Sequence, residues 1–195
     1  MNEARAEAAS FIDKWRRHWP EWGIAQVFVP AIQRTVAEAW FALLHEWIDA
    51  ASTEEPAPGL AKLAWWQDEL RGWGKGARRH PLGAILQKEK VDWHALADAL
   101  PGLMRRDAGF DLAALDRYAC ALDLAERRLF DEDHDACARI SHDLRKALGL
   151  PAEPIRGGDA TRPRRLLDAI ADARRAGQAL SPWATLCCSW RAARQ

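Results

Sequence analysis

Acidic and basic residues cancel in this chain, 28 against 28, so the whole molecule has no field to draw it onto nucleic acid. No apolar run approaches the ~20 residues that a membrane-spanning helix needs. The N-terminal MNEARAEAAS mixes acids with a base around no apolar centre, which reads as no secretory signal. Alternating β-branched runs are missing throughout, and a substantial sheet is excluded with them. The four cysteines, Cys120, Cys137, Cys187 and Cys188, contain no Cys-x-x-Cys pair. Adjacent Cys187 and Cys188 suit a disulfide poorly, so the expectation is reduced thiols in a cytoplasmic protein. No Ser/His/Asp or Cys/His nucleophile arrangement, internal repeat or low-complexity tract is present.

The 195 residues predict a single domain that buries about 70% of its unfolded surface. Eleven tryptophans stand against one tyrosine, and with abundant Ala, Leu and Arg they favour helices packed around large rings. Residues 3–18 place Phe11, Ile12, Trp15 and Trp19 at helical spacing before Pro20 ends the run. After a short apolar segment, Trp22 to Val29, Pro30 opens a long helix to about Ala51. Its core stripe is Ile32, Val36, Ala39, Trp40, Leu43 and Trp47, and Ala42, Glu46, Asp49 and Thr53 form a smaller polar face. Residues 52–59 are a connector.

The stretch Gly59 to Leu86 holds the chain together. Leu63, Trp66, Leu70 and Trp73 fall at i, i+3, i+7 and i+10 of one helix, with Trp65 and Glu69 on a neighbouring face. Pro58 suits its first turn, and Gly72, Gly74 and Gly76 supply the stop. His80-Pro81 then restarts a short helix. Asp92 caps the next helix, and Asp111 caps a strong one from Leu112 to Phe130 with Leu115, Cys120, Leu122 and Leu129 at apolar positions. An acidic cluster from Asp131 to Asp135 precedes a helix reaching about Leu148. Residues 150–163 are the plausible boundary. Beyond them lie a helix from about Arg164 to Ala176 and another opened by Ser181-Pro182. From Arg156 onward there are eight arginines and three aspartates, so this tail is basic and amphipathic.

Several clusters read better as structure than as sites. Asp107 and Asp111 flank Gly109 before a helix start, and Asp131 and Asp135 complement a helix dipole. His134, Cys137 and His142 match no compact zinc spacing. Gly74-x-Gly76 with Lys75, Arg78 and Arg79 follows a helix instead of a strand, so it reads as a connector before a phosphate cradle.

Phe28-Val29-Pro30, then Arg34, then Trp65-Trp66-x-x-Glu69-Leu70, then His80-Pro81-Leu82 resemble, in order and nearly in spacing, the squalene/phytoene synthase family. The resemblance covers residues 22 to about 90 well, and 110–148 more loosely through Leu115 and Tyr118. It implies an all-α isoprenoid synthase-type fold whose helices surround a cavity for isoprenyl diphosphates, with Mg²⁺ bridging two aspartate-rich motifs to the diphosphate. Here the first motif is degenerate. The best register puts Ile48 and Ser52 at its two aspartate positions, leaving Glu46 and Asp49 at i, i+3 as a weak cation pair. The helix expected to carry the second motif, ACARISHDLRKALG, retains only Asp143 as a carboxylate. Mg²⁺ needs a fixed set of oxygen ligands that this chain does not supply.

The expectation is therefore an all-α single domain resembling a shortened isoprenoid synthase fold that lacks part of the C-terminal helices. Residues 1–150 form the core, and 151–195 a linker plus a basic amphipathic tail docked on it. Synthase activity is expected to be lost, with no cofactor, Mg²⁺ entering only if transferase chemistry persists. The leading role is a binding or assembly-type protein with a protein partner. The alternatives are a prenyl or other apolar-ligand binder and a residual transferase. Ligand-cavity candidates are Arg34, Phe41, Glu46, Asp49, Trp65, Glu69 and His80. Trp183, Leu186, Cys187 and Trp190 form a stripe expected to dock on the chain's own helices. The alternative for Trp183, Leu186, Trp190 and Arg191 is a contact surface for a partner or a membrane.

Overall fold

Local sequence signals start several of the helices. Asp92 accepts a hydrogen bond from the Ala95 N–H at 3.0 Å, Asp111 from Ala114 at 3.0 Å, and Ser181 from Ala184 at 3.2 Å, three N-caps that each satisfy a donor the helix itself leaves open. The computed structural model describes residues 2–53, 55–105, 109–152 and 159–194, which contain ten α-helices and no strand. The Asp107–Asp111 pair and much of the 150–163 boundary therefore lie partly outside the described residues. The helices are α1 (Asn2–His18), α2 (Trp22–Ala25), α3 (Arg34–Ala51), α4 (Pro56–Gly74), α5 (Gly83–Leu86), α6 (Trp93–Ala99), α7 (Leu112–Phe130), α8 (Cys137–Ala147), α9 (Arg162–Arg175) and α10 (Pro182–Ala193). Short 3₁₀ turns cover Gln26–Phe28, Ala31–Gln33 and Leu100–Leu103. Among the described residues no helix is long and apolar enough to cross a membrane.

The core is built on α3 and α4. Leu63, Trp66, Leu70 and Trp73 are all buried along α4, and Trp40, Leu43 and Trp47 along α3. The rings meet edge to face: Trp47 lies 5.9 Å from Trp66 and 6.3 Å from Tyr118 of α7, centroid to centroid, a geometry that suits the ring quadrupoles. The two helices approach so closely near Gly59 that a Cβ there would collide with the Ala50 carbonyl oxygen. α8 runs back along α7, and α9 and α10 close over α2.

Three details differ from the sequence reading. Ile32, placed in the core stripe, sits in the 3₁₀ turn before α3 and is 89% exposed. The long helix starts at Arg34, so the periodicity does not extend back to Ile32. Cys120 and Cys137 form a disulfide between α7 and α8. Asp131 ends α7 in the left-handed conformation, φ 53°, and the chain then folds back to set Cys137 beside Cys120. Cys120 is thus exposed toward α8 instead of serving the apolar stripe, and only Cys187 and Cys188 remain free thiols. Finally, α10 packs through Thr185, Ser189 and Ala192, all buried, while Trp183 and Trp190 are 73% and 48% exposed. The small residues let α10 lie close against its neighbours, which the tryptophan face does not allow.

Candidate functional site

Five helices leave a cavity of about 450 Å³ between them. Trp15 of α1 and Trp19 just after it, Phe41, Leu44 and Ile48 of α3, Tyr118 and Leu122 of α7, Ile140 and Leu144 of α8, and Leu167 and Ala171 of α9 give it an apolar wall. The volume lies within the range of small-molecule sites, about 300–1,000 Å³. Polar groups enter from different elements: His18 from α1, His45 and Asp49 from α3, Asp143 and Lys146 from α8, and Arg164, Asp168 and Arg175 from α9.

Most of these charges are already committed. Arg164 is buried and forms a two-pronged pair with Glu126 of α7, its Nε donating to Oε2 at 2.7 Å. Asp168 accepts from Arg139 Nε at 2.6 Å, and burial pushes its carboxyl up against the pull of Arg164 and Arg139. Arg175 lies 2.8 Å from Asp172 and 3.7 Å from Asp143. Asp143 keeps one open atom: Arg175 stands near its Oδ1, but its Oδ2 is buried and takes no hydrogen bond from any described residue, an unmatched acceptor on the cavity wall.

Of the residues singled out for a ligand cavity, Phe41 and Asp49 line this one. Ile48, at the expected position of the first motif, also faces it, whereas Ser52 does not. Glu46 is turned away and buried, with Lys14 Nζ at 2.7 Å and Lys62 Nζ at 2.8 Å. Lys14 also reaches Asp49 at 3.1 Å. The cation between Glu46 and Asp49 is thus a lysine ammonium of the chain itself. Burial alone would raise Glu46, but the two lysines hold it below the usual carboxylate range. Among the described residues no group of three His, Cys, Asp or Glu side chains is placed to hold a metal.

Arg34 donates to the carbonyls of Val29 and Val27 at 3.0 and 3.3 Å and fixes the turn before α3. Glu69, buried in α4, is the clamp of the glycine-basic connector. It accepts from the Trp73 indole at 2.8 Å, from the Arg79 and His80 backbone at 2.7 and 2.8 Å, and from Arg79 Nε at 2.9 Å. Burial would raise its carboxyl, but these donors hold it below the usual range. Arg79 also lies over the Trp65 ring at 5.3 Å. The Gly74-x-Gly76 segment therefore leads into a closed structural lock.

His80 belongs to the same lock. Its ring packs 4.3 Å from Trp66 and 4.5 Å from Phe11, and its Nδ1 accepts from the Leu82 N–H at 3.2 Å. Nδ1 is therefore the unprotonated nitrogen. Burial holds the imidazole down to about 4 from its ordinary 6.5, against the pull of Glu46 and Glu69. Because the folded value lies below the unfolded one, the neutral ring stabilises the fold above pH 6.5, and this contribution is lost as pH falls toward 4. The melting temperature is expected to drop across that window, and His80→Leu to flatten that part of the slope. Asp168, raised above 3.8, contributes with the opposite sign, so the comparison is made between variant and wild type. Identical slopes in the two proteins would show that the ring titrates normally.

The remaining clusters are structural. Asp123 Oδ1 accepts from the Ala136 N–H at 3.0 Å and Asp135 Oδ1 from Cys137 at 3.2 Å, so acids supply the start of α8. His134 pairs with Asp159 and Glu132 at 2.9 and 3.2 Å. The α9 contribution to the cavity escaped the sequence reading. Arg164, Leu167, Asp168, Ala171 and Arg175 stand at i, i+3, i+4, i+7 and i+11, one helical face, and that spacing was the available signal. Comparison with known proteins gives no match: no family model, no curated protein and no solved structure aligns with this chain.

Proposed function

We propose that this chain is a squalene/phytoene synthase-like helical protein that has lost synthase chemistry and binds a prenyl-type or other apolar ligand carrying a neutral hydrogen-bond donor. The observation that carries the reading is the wall of the central cavity. It is mostly apolar, Ile48 stands where the resembling family has a metal-binding aspartate, and Asp143 Oδ2 offers one unmatched acceptor. A hydroxyl head satisfies that acceptor. A diphosphate would meet Asp49, Asp143 and Asp168 beside three cations, of which Arg164 and Arg175 are already paired with Glu126 and Asp172.

A ligand at 100 times its Kd stabilises the fold by about 2.7 kcal/mol, and each kcal/mol moves the melting temperature of a domain this size by about 2–4 °C. A long-chain prenyl alcohol is therefore expected to raise it by about 5–11 °C. Asp143→Leu should remove most of that shift and Ala171→Phe, which fills the cavity, all of it. Farnesyl or geranylgeranyl diphosphate with Mg²⁺ should give little shift and release no pyrophosphate. A large diphosphate shift abolished by EDTA, or turnover lost on Asp49→Ala, would overturn this reading in favour of a transferase. The assembly-type role gains if no prenyl compound moves the transition, and pull-down of a protein partner then becomes its test.

A further inference from the structure

α10 is pinned to the protein along Thr185, Ser189 and Ala192, which turns Trp183 and Trp190 outward. No acidic residue follows Asp172 in the sequence, whereas Arg174, Arg175, Arg191 and Arg194 do. Arg174 and Arg175 are taken by Glu21 and Asp172. Among the described residues, no carboxylate pairs with Arg191 or Arg194, and the Arg194 guanidinium lies over the Trp190 ring at 4.6 Å. The segment beside α10 adds to the same picture. The Gln26–Phe28 turn packs on α10, and Pro30 and Gln33 share a surface hollow with Ala193 and Arg194. This segment carries Val27 and Ile32, 53% and 89% exposed.

We propose that this face seats on an anionic lipid surface, with Trp183 and Trp190 at headgroup depth and Arg191 and Arg194 against the lipid phosphates. Three observations select lipid as the occupant. Exposed tryptophans have an apolar body and an N–H at one edge, which fits the boundary between acyl chain and water. The stretch after Asp172, free of acidic side chains, and the guanidinium groups of Arg191 and Arg194, which no carboxylate pairs with among the described residues, complement a negative leaflet. A helix of 12 residues, about 18 Å long, is too short to span a bilayer. Fixed to the protein along one side, it lies flat, the posture of an interfacial helix. The inference stands apart from the cavity reading, since none of these residues except the committed Arg175 lines the cavity.

Flotation of the full chain with vesicles tests it. The protein should float with phosphatidylcholine vesicles containing phosphatidylglycerol at low salt, and far less with phosphatidylcholine alone. Arg191→Gln and Arg194→Gln should each weaken partitioning about fivefold, the equivalent of about 1 kcal/mol per basic residue near an anionic surface. Trp183→Ser with Trp190→Ser should weaken it by tenfold or more. Both residues are exposed, so the melting temperature should hold, and a prenyl-alcohol shift should survive in the same variant. Failure of the wild type to float on anionic vesicles would overturn the proposal. So would a tryptophan variant that floats as well as the wild type. A wild type that stays off vesicles but self-associates through Trp183 and Trp190 would make the face a protein contact and also overturn it.

Discussion

Glu126→Ala is expected to be among the most damaging single changes in this protein, lowering stability by about 3–5 kcal/mol and the melting temperature by about 6–20 °C. The carboxylate is buried and serves four donors at once: Arg164 through Nε and a terminal nitrogen, Trp40 Nε1 at 2.8 Å, and Thr161 Oγ1 at 3.3 Å. Removing it strands a guanidinium that is itself buried and an indole N–H deep in the core. The charge has nowhere to go, since its neighbour Asp168 is already engaged by Arg139. Apolar replacement of both partners, Glu126→Leu with Arg164→Met, should recover most of the loss, because a buried pair stabilises little beyond an apolar packing of similar volume. Chemical denaturation of the three proteins decides the matter. A double variant as unstable as Glu126→Ala would mean that packing at these positions, and not the stranded charge, is responsible.

Trp66→Ala is expected to cost about 3–5 kcal/mol. Trp66 is 1% exposed and its ring meets Trp47, Trp65, Trp73 and His80. The hole left behind would open at the junction of α3, α4 and the His80 turn, where the neighbouring rings are too large to relax inward. Trp65, adjacent in sequence, is 37% exposed, and Trp65→Ala should cost clearly less, on the order of 1 kcal/mol. The comparison is made by urea denaturation, with similar slopes indicating that only stability has changed. If Trp65→Ala were the more destabilising, the facing of α4 would be other than described.

The contrast between these adjacent tryptophans was legible in the sequence because it depends only on helix phase. The same is true of the N-caps at Asp92, Asp111 and Ser181, whose partners lie three residues away. Residues whose partners are far along the chain were harder to place. Glu46 and Asp49 looked like a weak cation site, and the group that fills it, Lys14, stands 32 positions from Glu46. Cys120 and Cys137 read as separate thiols, since their approach depends on the turn at Asp131 folding α8 back along α7. For α10 the sequence offered two helical faces with the same period. Hydrophobicity selected Trp183, Leu186, Cys187 and Trp190, whereas close helix packing used Thr185, Ser189 and Ala192. Phe41 and Asp49 line the cavity, but half of its charged groups come from α9, beyond the reach of the family resemblance.

The junction between the two halves of the chain has a consequence for how the protein is made. Arg174 donates to Glu21 across 153 positions and lies over the Trp19 ring at 4.5 Å, while α9 and α10 close over α2. A ribosome delivers α2 long before it delivers its cover, so Trp19 and the neighbouring apolar surface wait uncovered while the intervening helices are made. Domains of this kind complete their fold only once such a late segment is free to return. The nascent chain is therefore most exposed to aggregation, and to the attention of chaperones, in the interval just before α9 and α10 emerge. A premature stop within α9 would unmask α2 and the Trp19 turn, far upstream of the stop itself.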